Sequence, residues 1–381
     1  MKKVLVLVLS NLKHDARVRR QVLALKDDYK TTVVCFGGEQ SDDYELIIIK
    51  PTRLTLLRKA ITSVFLLLRF HGIAHRLLHD YAPVMEALAP RRFDLIIAND
   101  VETLPFAFSF PGRPKIIFDA HEYAPRHFED KKLWRFFFQN FNNWLCKTYI
   151  PRTDAMTTVG KGLAREYEKN FHVTPTVITN ANNYFEIEPS PVPENKIRLV
   201  HHGIATPSRK LELMIDIMAL LDYRFTLDMM LLTPGFASGK TKRYLDDLRM
   251  LSKKDPRIRI IPPVKSSEVV NQIRNYDVGI FILPPVNFNY ENTLPNKLFD
   301  FIQARLGVAI GPTPEMAEIV TRYSIGIVSE NFSAESVAKS LNQLNMHDIE
   351  MYKRNTNAAA KELNAETNAK KLQNIVSSLF Q

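Results

Sequence analysis

The feature that most constrains this chain is a repeated alternation of short apolar runs and amphipathic helical segments. Lys3 to Leu9 is a nearly continuous apolar run, which is typical of a strand buried on both faces of a parallel sheet. Ala16 to Lys26 then places apolar residues at helical spacing, and Thr31 to Phe36 is the next strand-like run. This strand–helix–strand order predicts a doubly wound parallel sheet.

The alternation is present twice, on either side of a proline-rich segment. Pro189, Pro191 and Pro193 lie close together, and proline removes hydrogen bonds on which helix and sheet depend. A new apolar run starts at Ile197. We therefore predict an α/β protein of two doubly wound, Rossmann-like domains that face each other across a cleft. The predicted boundaries are 1–186 for the first domain, 187–195 for the linker, 196–350 for the second domain and 351–381 for C-terminal helices that pack back toward the first.

The number of cysteines and the length of the apolar runs indicate the cellular compartment of this protein. Cys35 and Cys146 are its only cysteines, which is too few for a disulfide framework and fits a reducing compartment. The apolar run Val4 to Leu9 is shorter than the about 7–15 residues of a signal sequence. No run approaches the roughly 20 apolar residues that span a bilayer. We therefore predict a cytoplasmic protein.

The net charge of +10 lies mostly in the first half of the chain. Residues 1–185 contain 27 basic and 19 acidic side chains, a difference of +8, and residues 186–381 contribute the remaining +2. Basic halves suit nucleic acid, anionic lipid or anionic substrates. No helix-turn-helix, zinc knuckle or aromatic–basic RNA motif accompanies the charge, so we predict no nucleic-acid partner.

Residues 52–90 combine this charge with apolar side chains at helical spacing. Basic amphipathic helices bind anionic lipid surfaces, and the same spacing also suits helices that pack into a domain core. Both interpretations stay open, and the first predicts peripheral attachment to the inner face of the cell membrane. The basic residues implicated in it are Arg53, Arg58, Lys59 and Arg69.

Four groups of segments, in order along both domains, resemble glycosyltransferase family 4, whose members have the GT-B fold. The first is Asp15 to Val18, and the second joins Ala98 to Pro105 with Phe118 to Tyr123. The third is Asp154 to Val159 followed by Leu163, Ala164 and Asn180, and the fourth is Leu294 to Asp300. The resemblance extends from residue 1 to about 330.

Gly203 to Lys210 is the candidate site for the diphosphate of a nucleotide-sugar donor. Glycine after a strand lets a phosphate approach the backbone, and Arg209 and Lys210 supply positive charge for the leaving group. The resembling family carries Gly-Arg-x(4)-Arg-Lys in this role. Here Ile204 follows the glycine, so one of the family's cations is missing.

The resemblance places further donor-binding residues around the fourth segment. The family carries two glutamates eight positions apart here, one at the donor sugar and one at the ribose hydroxyls. This chain has Asn292 and Asp300 at that spacing, so a carboxylate remains only at the ribose position. The complete predicted donor set is Gly203, Arg209, Lys210, Asn292, Leu294, Asn296, Lys297 and Asp300.

Polar side chains that follow strands of the first domain form the predicted catalytic and acceptor side. His121 matches a family histidine that contacts the donor sugar, and Asp100 could orient or deprotonate an acceptor hydroxyl. The acceptor-side residues are Ser10, Asn11, Asn99 and Glu122. The chain contains no Asp-x-Asp, the paired carboxylates by which many transferases hold a metal-bound diphosphate. We therefore predict no metal and no cofactor.

The resemblance implies a retaining glycosyltransferase that moves a sugar from a nucleotide-diphosphate donor to a glycan or lipid-linked acceptor. Synthesis of bacterial surface polysaccharide or glycolipid is the expected setting. Two alternatives stay open: a nucleotide-sugar 2-epimerase, which shares the two-domain shape, and a non-catalytic partner subunit. The second follows from Ile204 and Asn292, which stand where the family has charged residues.

Overall fold

The computed structural model describes residues 1–233 and 239–381. The described residues divide into two compact units. The first comprises Met1–Thr179, Asn287–Asn289 and Asn368–Gln381, and the second comprises Asn180–Val286 and Tyr290–Thr367. The first long segment thus ends at Thr179, before the predicted boundary at residue 186.

The first unit contains a seven-stranded parallel sheet of order β3-β2-β1-β4-β5-β6-β7 among its described residues. Its elements are β1 Lys3–Leu7, α1 Ala16–Leu23, β2 Lys30–Cys35, β3 Glu45–Ile48, α2 Leu56–Leu67, α3 His71–Leu78, α4 Ala82–Leu88, β4 Leu95–Asn99, α5 Leu104–Ala107, β5 Lys115–Ala120, α6 Lys132–Trp134, α7 Asn140–Tyr149, β6 Ala155–Thr158, α8 Lys161–Phe171 and β7 Thr176–Val177. A π-helical turn, Arg135–Gln139, joins α6 to α7.

The second unit contains a six-stranded parallel sheet of order β10-β9-β8-β11-β12-β13 among its described residues. Elements in or entering it are β8 Ile197–Ile204, α9 Glu212–Leu220, β9 Phe225–Leu232, α10 Gly239–Ser252, β10 Ile258–Ile261, α11 Val269–Ile273, β11 Val278–Phe281, α12 Phe288–Glu291, α13 Asn296–Gln303, β12 Gly307–Ile310, α14 Pro314–Tyr323, β13 Gly326–Val328, α15 Ala334–Asn342, α16 Met346–Ala360 and α17 Ala365–Ser378. The two sheets confirm the predicted GT-B-type fold class of two doubly wound domains.

Each sheet is buried on both faces, which explains the unbroken apolar runs of the sequence. In β1, Leu5 and Leu7 pack into one core cluster, and Val4 and Val6 pack into a second cluster on the opposite face. Successive side chains of a strand point to opposite faces, so a two-sided sheet needs apolar residues at every position. The second cluster of the first unit also contains Val376 of α17.

One helix start differs from its prediction in a way that affects the candidate donor site. The sequence pattern predicts a helix from Lys210 to Leu221, but α9 begins at Glu212. Pro207–Arg209 forms a 3₁₀ turn, and Lys210 takes a left-handed conformation with a φ of 48°. A residue in that conformation ends one turn and cannot be the first residue of an α-helix.

No helix among the described residues is long and apolar enough to cross a membrane.

Candidate active site

A buried network at the carboxyl end of the first sheet is centred on Asp119, which is 1% exposed. Arg17 of α1 donates to both of its oxygens, at 2.8 Å from Nε and 2.6 Å from Nη2. Gln21 Nε2 at 3.1 Å and Thr157 Oγ1 at 2.7 Å also donate to this carboxylate. Burial alone would raise the pKa of Asp119, but Arg17 and His121 hold it well below its usual range. Asp119 is therefore ionised, and it ties α1 and β6 to β5.

His121, directly after β5, lies among the polar groups predicted for the site. Its Nε2 atom is 3.4 Å from Asp119 Oδ2 and 3.2 Å from Asn99 Oδ1, and its Nδ1 atom is 3.5 Å from Asp100 Oδ2. Burial alone would lower the pKa of His121, but Asp100 and Asp119 raise it to about 9. At neutral pH the imidazole ring is therefore charged.

Asp100 and Asn99 are positioned by backbone and side-chain contacts at the end of β4. Asn99 is buried and donates to Leu7 O at 3.2 Å and to Gln21 Oε1 at 3.0 Å. Asp100 has a φ of 63°, a conformation that non-glycine residues seldom adopt and that costs free energy. Thr103 Oγ1 donates to Asp100 O at 2.8 Å, which helps to hold this turn. The strained turn places the Asp100 carboxylate beside His121.

A cavity of about 560 Å³ opens beside His121 within the first unit. Its polar lining includes Asp100, His121 and two residues from neighbouring turns, Glu102 and Glu122. Its apolar lining is largely aromatic and comes from β5 and the segment around the π-helical turn: Phe118, Phe128, Trp134, Phe138 and Phe141. A volume of this size suits a small-molecule ligand of one or two rings.

The two glutamates of the cavity differ in their partners. Glu122 is exposed and pairs with His127, whose Nε2 atom is 2.6 Å from Glu122 Oε2. The Glu102 carboxylate has no side-chain hydrogen-bond partner in the part of the chain that the structure describes. Burial and the nearby Asp100 raise the pKa of Glu102 to about 7.

The other two predicted acceptor-side residues, Ser10 and Asn11, form hydrogen bonds within their own loop. Ser10 Oγ donates to Asp15 Oδ2 at 2.7 Å, and Asp15 accepts from Val18 N as the N-cap of α1. Asn11 Oδ1 accepts from Lys13 N at 3.0 Å. Neither Ser10 nor Asn11 lines the cavity.

In the second unit, the end of β8 brings two cations to Gly203. This glycine has a φ of 128°, and a Cβ atom there would lie 2.6 Å from Lys297 Nζ and 3.5 Å from Arg209 Nη1. Only glycine fits this position, because the backbone conformation is unfavourable for other residues and Lys297 occupies the space. The Lys297 side chain is buried and lies over the Phe281 ring, 4.7 Å from Nζ to the ring centroid.

The two basic side chains of this pocket, Lys297 and Arg209, disfavour further positive charge in it. Burial and the neighbouring Arg209 lower the pKa of Lys297 well below its ordinary value. Burial, Lys297 and Arg209 lower the pKa of His202 to about 3, so its ring is neutral. His202 Nε2 is buried without a hydrogen-bond partner in the described residues, 3.4 Å from Asp300 Oδ2. Such a pocket can accept an anion that restores the charge of Lys297.

The remaining predicted donor residues divide between this pocket and its surroundings. Asp300 is buried on α13, and its Oδ1 atom accepts from Asn182 Nδ2 at 3.1 Å. Asn292 is buried and Leu294 packs in the core of the unit. Asn296, the first residue of α13, is exposed, and Lys210 is exposed after its turn. The cation that stands at Gly203 with Arg209 is therefore Lys297.

Sequence reasoning omitted several residues that the folded chain brings into these sites. Asp119 and Arg17 lie within motif segments, but only the fold shows that they bind each other. His202 directly precedes Gly203, which was a usable signal. The aromatic wall of the cavity has no signal in its local sequence, because Trp134 and Phe141 are separated from His121 along the chain and meet it only in the fold.

Comparison with known proteins relates the chain to a class of enzyme. Residues 17–183 match the family model described as Glycosyltransferase Family 4. No curated protein matches the chain in sequence.

Solved structures match the fold of the whole chain at low sequence identity. Sucrose-phosphate synthase from Thermosynechococcus elongatus has a TM-score of 0.77 at 12% identity, covering 100% of this chain and 99% of that one. HepE from Anabaena in complex with UDP-glucose has a TM-score of 0.68 at 14% identity, covering 99% and 100%. WaaG, a glycosyltransferase involved in lipopolysaccharide biosynthesis, has a TM-score of 0.64 at 13% identity, covering 97% and 99%. Residues 17–183 therefore match glycosyltransferase family 4, and the chain is a glycosyltransferase of the GT-B fold.

Proposed function

We propose that this enzyme is a retaining glycosyltransferase that uses a uridine-diphosphate sugar as donor. The observation that carries the proposal is the pair of cations, Arg209 and Lys297, that meets at Gly203 in the second unit. A departing diphosphate needs fixed positive charge, and two basic side chains in a water-poor pocket supply it without reorganisation. HepE, whose fold is similar, was solved with UDP-glucose, which supports uridine as the base.

Lys297 can supply the positive charge that is missing because Ile204 stands where the family has a cation. Its ammonium group lies where a Gly203 side chain would otherwise be, so a diphosphate that approaches the glycine backbone also meets Lys297. The buried Asp300, held by Asn182, supplies a carboxylate for the ribose hydroxyls. These contacts make Lys297, Arg209 and Asp300 the proposed core of the donor site.

The transfer itself needs no covalent intermediate on the protein. The bond between the anomeric carbon and the diphosphate oxygen breaks, and the acceptor oxygen bonds to the same face of that carbon. The acceptor proton passes to the departing phosphate oxygen. We assign the charged His121 to the donor sugar and the nearby Asp100 to the acceptor hydroxyl, because the two side chains lie 3.5 Å apart beside the cavity.

We also propose that the acceptor is lipid-linked and that the enzyme attaches to the inner face of the membrane. The helix α2 buries only Thr62 and Leu66, whereas Leu56 is 87% and Leu57 is 71% exposed. Further exposed apolar residues on this surface are Ile61, Val64, Leu67, Leu68, Phe70 and Ile73. Exposed apolar side chains among basic ones suit an anionic bilayer surface. This supports an acceptor in surface polysaccharide or glycolipid synthesis.

Arg58 needs a different assignment from the other basic residues of this stretch. Its Nε atom donates to Leu77 O at 2.6 Å, so it satisfies a carbonyl at the end of α3. Arg53, Lys59 and Arg69 are exposed and remain the proposed lipid-facing cations.

Nucleotide binding tests the donor assignment directly. A thermal-shift panel of UDP, GDP, ADP and dTDP is expected to show stabilisation by UDP, since a ligand at 100 times its Kd adds about 2.7 kcal/mol. Lys297→Met and Arg209→Ala are each expected to weaken UDP binding by about 1.5–3 kcal/mol, the value of a charge-assisted hydrogen bond. The exposed Lys254→Met is the matched control, and Lys210→Met shows whether that exposed lysine also reaches the diphosphate.

Two outcomes would contradict the proposal. Unchanged UDP affinity in Lys297→Met and Arg209→Ala would remove the diphosphate assignment. Conversion of the nucleotide sugar to its epimer in the absence of any acceptor would make the enzyme an epimerase instead.

A further inference from the structure

We propose that the cavity of the first unit binds an uncharged terminal sugar of the acceptor and rejects an acceptor sugar that carries a phosphate. The inference rests on the proposed function and names the class of acceptor. It also means that this enzyme extends a glycan that an earlier glycosyl transfer has begun, and does not add the first sugar to a lipid phosphate.

The cavity has the two kinds of surface that a sugar ring needs. Trp134, Phe138 and Phe141 form an apolar wall, which suits the C–H face of a pyranose ring. Asp100 and Glu102 lie on the polar side, where carboxylate oxygens accept hydrogen bonds from hydroxyl groups. The volume of about 560 Å³ leaves room for a second ring.

The charges of the lining disfavour a phosphate. Phosphate recognition in proteins relies on arginine, lysine or exposed backbone N–H groups. Among the described residues that line the cavity there is no arginine and no lysine. Three histidines line it. Burial lowers the pKa of His79 to about 3, so its ring is neutral. The other two face carboxylates: His127 is 2.6 Å from Glu122, and His121 lies between Asp100 and Asp119.

Glu102 is the residue that we infer to determine specificity. Its backbone carbonyl accepts from Tyr81 Oη and contacts His75 Nε2, both at 2.9 Å, so this turn is fixed in place. Its carboxylate accepts from its own backbone N–H and has no side-chain donor in the described part of the chain, and it lines the cavity. An acceptor hydroxyl is therefore the natural donor to it, whereas a phosphate would meet a like charge.

The titration of Glu102 supplies a signature beyond activity alone. The charged groups that act on it are Asp100, Glu122 and His127. With a raised pKa of about 7, Glu102 becomes a full acceptor only as the pH rises through that value. The kcat/KM for the acceptor is therefore expected to increase between about pH 6 and 8 in the native enzyme. This increase should be absent in Glu102→Gln.

The test compares neutral and phosphorylated acceptors on the full chain in the presence of UDP. Saturation-transfer NMR measures binding of methyl glycosides of glucose, galactose, mannose and N-acetylglucosamine, each beside the corresponding sugar 6-phosphate. We expect at least one neutral sugar to bind about 100-fold more tightly than its phosphate, since like-charge contacts are strongly disfavoured. Glu102→Gln is expected to weaken the binding of that neutral sugar about tenfold. Glu102→Lys is expected to reduce the difference in affinity between the neutral sugar and its phosphate.

Controls separate this inference from the donor assignment. The exposed Glu86→Gln should leave sugar binding unchanged, and the UDP thermal shift should be the same in both Glu102 variants. A phosphorylated sugar that binds as well as its neutral counterpart would overturn the inference, as would a panel in which only phosphates bind. Failure of the donor assignment would appear separately, as the loss of the UDP shift in the native protein.

Discussion

At the scale of single residues, the contact between Arg17 and Asp119 organises the first-domain site. The side chains are 10% and 1% exposed and share two hydrogen bonds. A carboxylate in this position is tolerated only because its charge is matched, and removing one partner of such a pair leaves the other buried and unpaired. Asp119 in turn faces His121, so the ion pair also determines where the His121 imidazole lies.

We predict that Arg17→Met destabilises the first unit by about 3–5 kcal/mol, because Asp119 would keep its burial and lose its bidentate partner. Arg19→Met, a substitution of an exposed arginine on the same helix, is expected to change stability by less than about 0.5 kcal/mol. Thermal unfolding of both variants measures the difference. Equal unfolding temperatures for the two would show that the ion pair contributes nothing to stability.

At the scale of elements, α2 is unusual because it exposes many apolar side chains, which a helix that contacts only water does not need. Asp15 caps α1, whose apolar positions include the buried Val18 and Val22, as expected for a surface helix over a sheet. In α2 most of the apolar residues are exposed, and only Thr62 and Leu66 are buried. Helix formation by itself does not require exposed apolar side chains. The exposed face of α2 therefore supports the proposed contact with a membrane surface.

We predict that the enzyme sediments with anionic vesicles at low salt and much less with neutral ones. Replacing Leu56 and Leu57 with serine, or Arg53 and Lys59 with glutamate, should reduce binding, because apolar insertion and about 1 kcal/mol for each basic residue would be lost. Lys253→Glu with Lys254→Glu, on an exposed part of the second unit, is the charge-matched control.

The two outcomes of the vesicle experiment favour different acceptors. Loss of binding in the α2 variants alone would support a lipid-linked acceptor at the membrane. Equal recovery in the supernatant with and without anionic vesicles would leave α2 without a lipid role and would favour a soluble glycan.

At the scale of the whole molecule, the proposed reaction uses one site in each unit. The first unit has the cavity beside His121, and the second unit has the cationic pocket at Gly203. The chain also returns to its starting unit, because Leu372 and Val376 of α17 pack in the core that holds β1. Truncating the C-terminal helix would therefore remove part of the first core.

We predict that excess EDTA leaves glycosyl transfer unchanged, since Arg209 and Lys297 provide the charge that a metal would otherwise supply. The measurement is the initial rate with and without chelator, after extensive dialysis. Loss of activity that Mg²⁺ or Mn²⁺ restores would show that a divalent ion takes part.

Much of the fold could be predicted because it depends on local pattern. The apolar run in β1 and the helical spacing in α1 were sufficient to identify a two-sided parallel sheet, since burial on both faces demands apolar residues throughout a strand. The start of α9 could not be read in this way. Lys210 adopts a left-handed conformation that its residue type does not suggest, and the preceding turn imposes it.

The sequence by itself determined the two doubly wound domains, the strand ends where polar residues gather, and the glycine at residue 203. These depend on periodicity and backbone freedom, which each short segment carries on its own. Only the tertiary structure decided that Lys297 accompanies Arg209 at that glycine, that Arg17 neutralises Asp119, and that the aromatic side chains close a cavity beside His121. Such contacts join residues far apart in the chain, and their energies depend on burial and distance, which no local pattern contains.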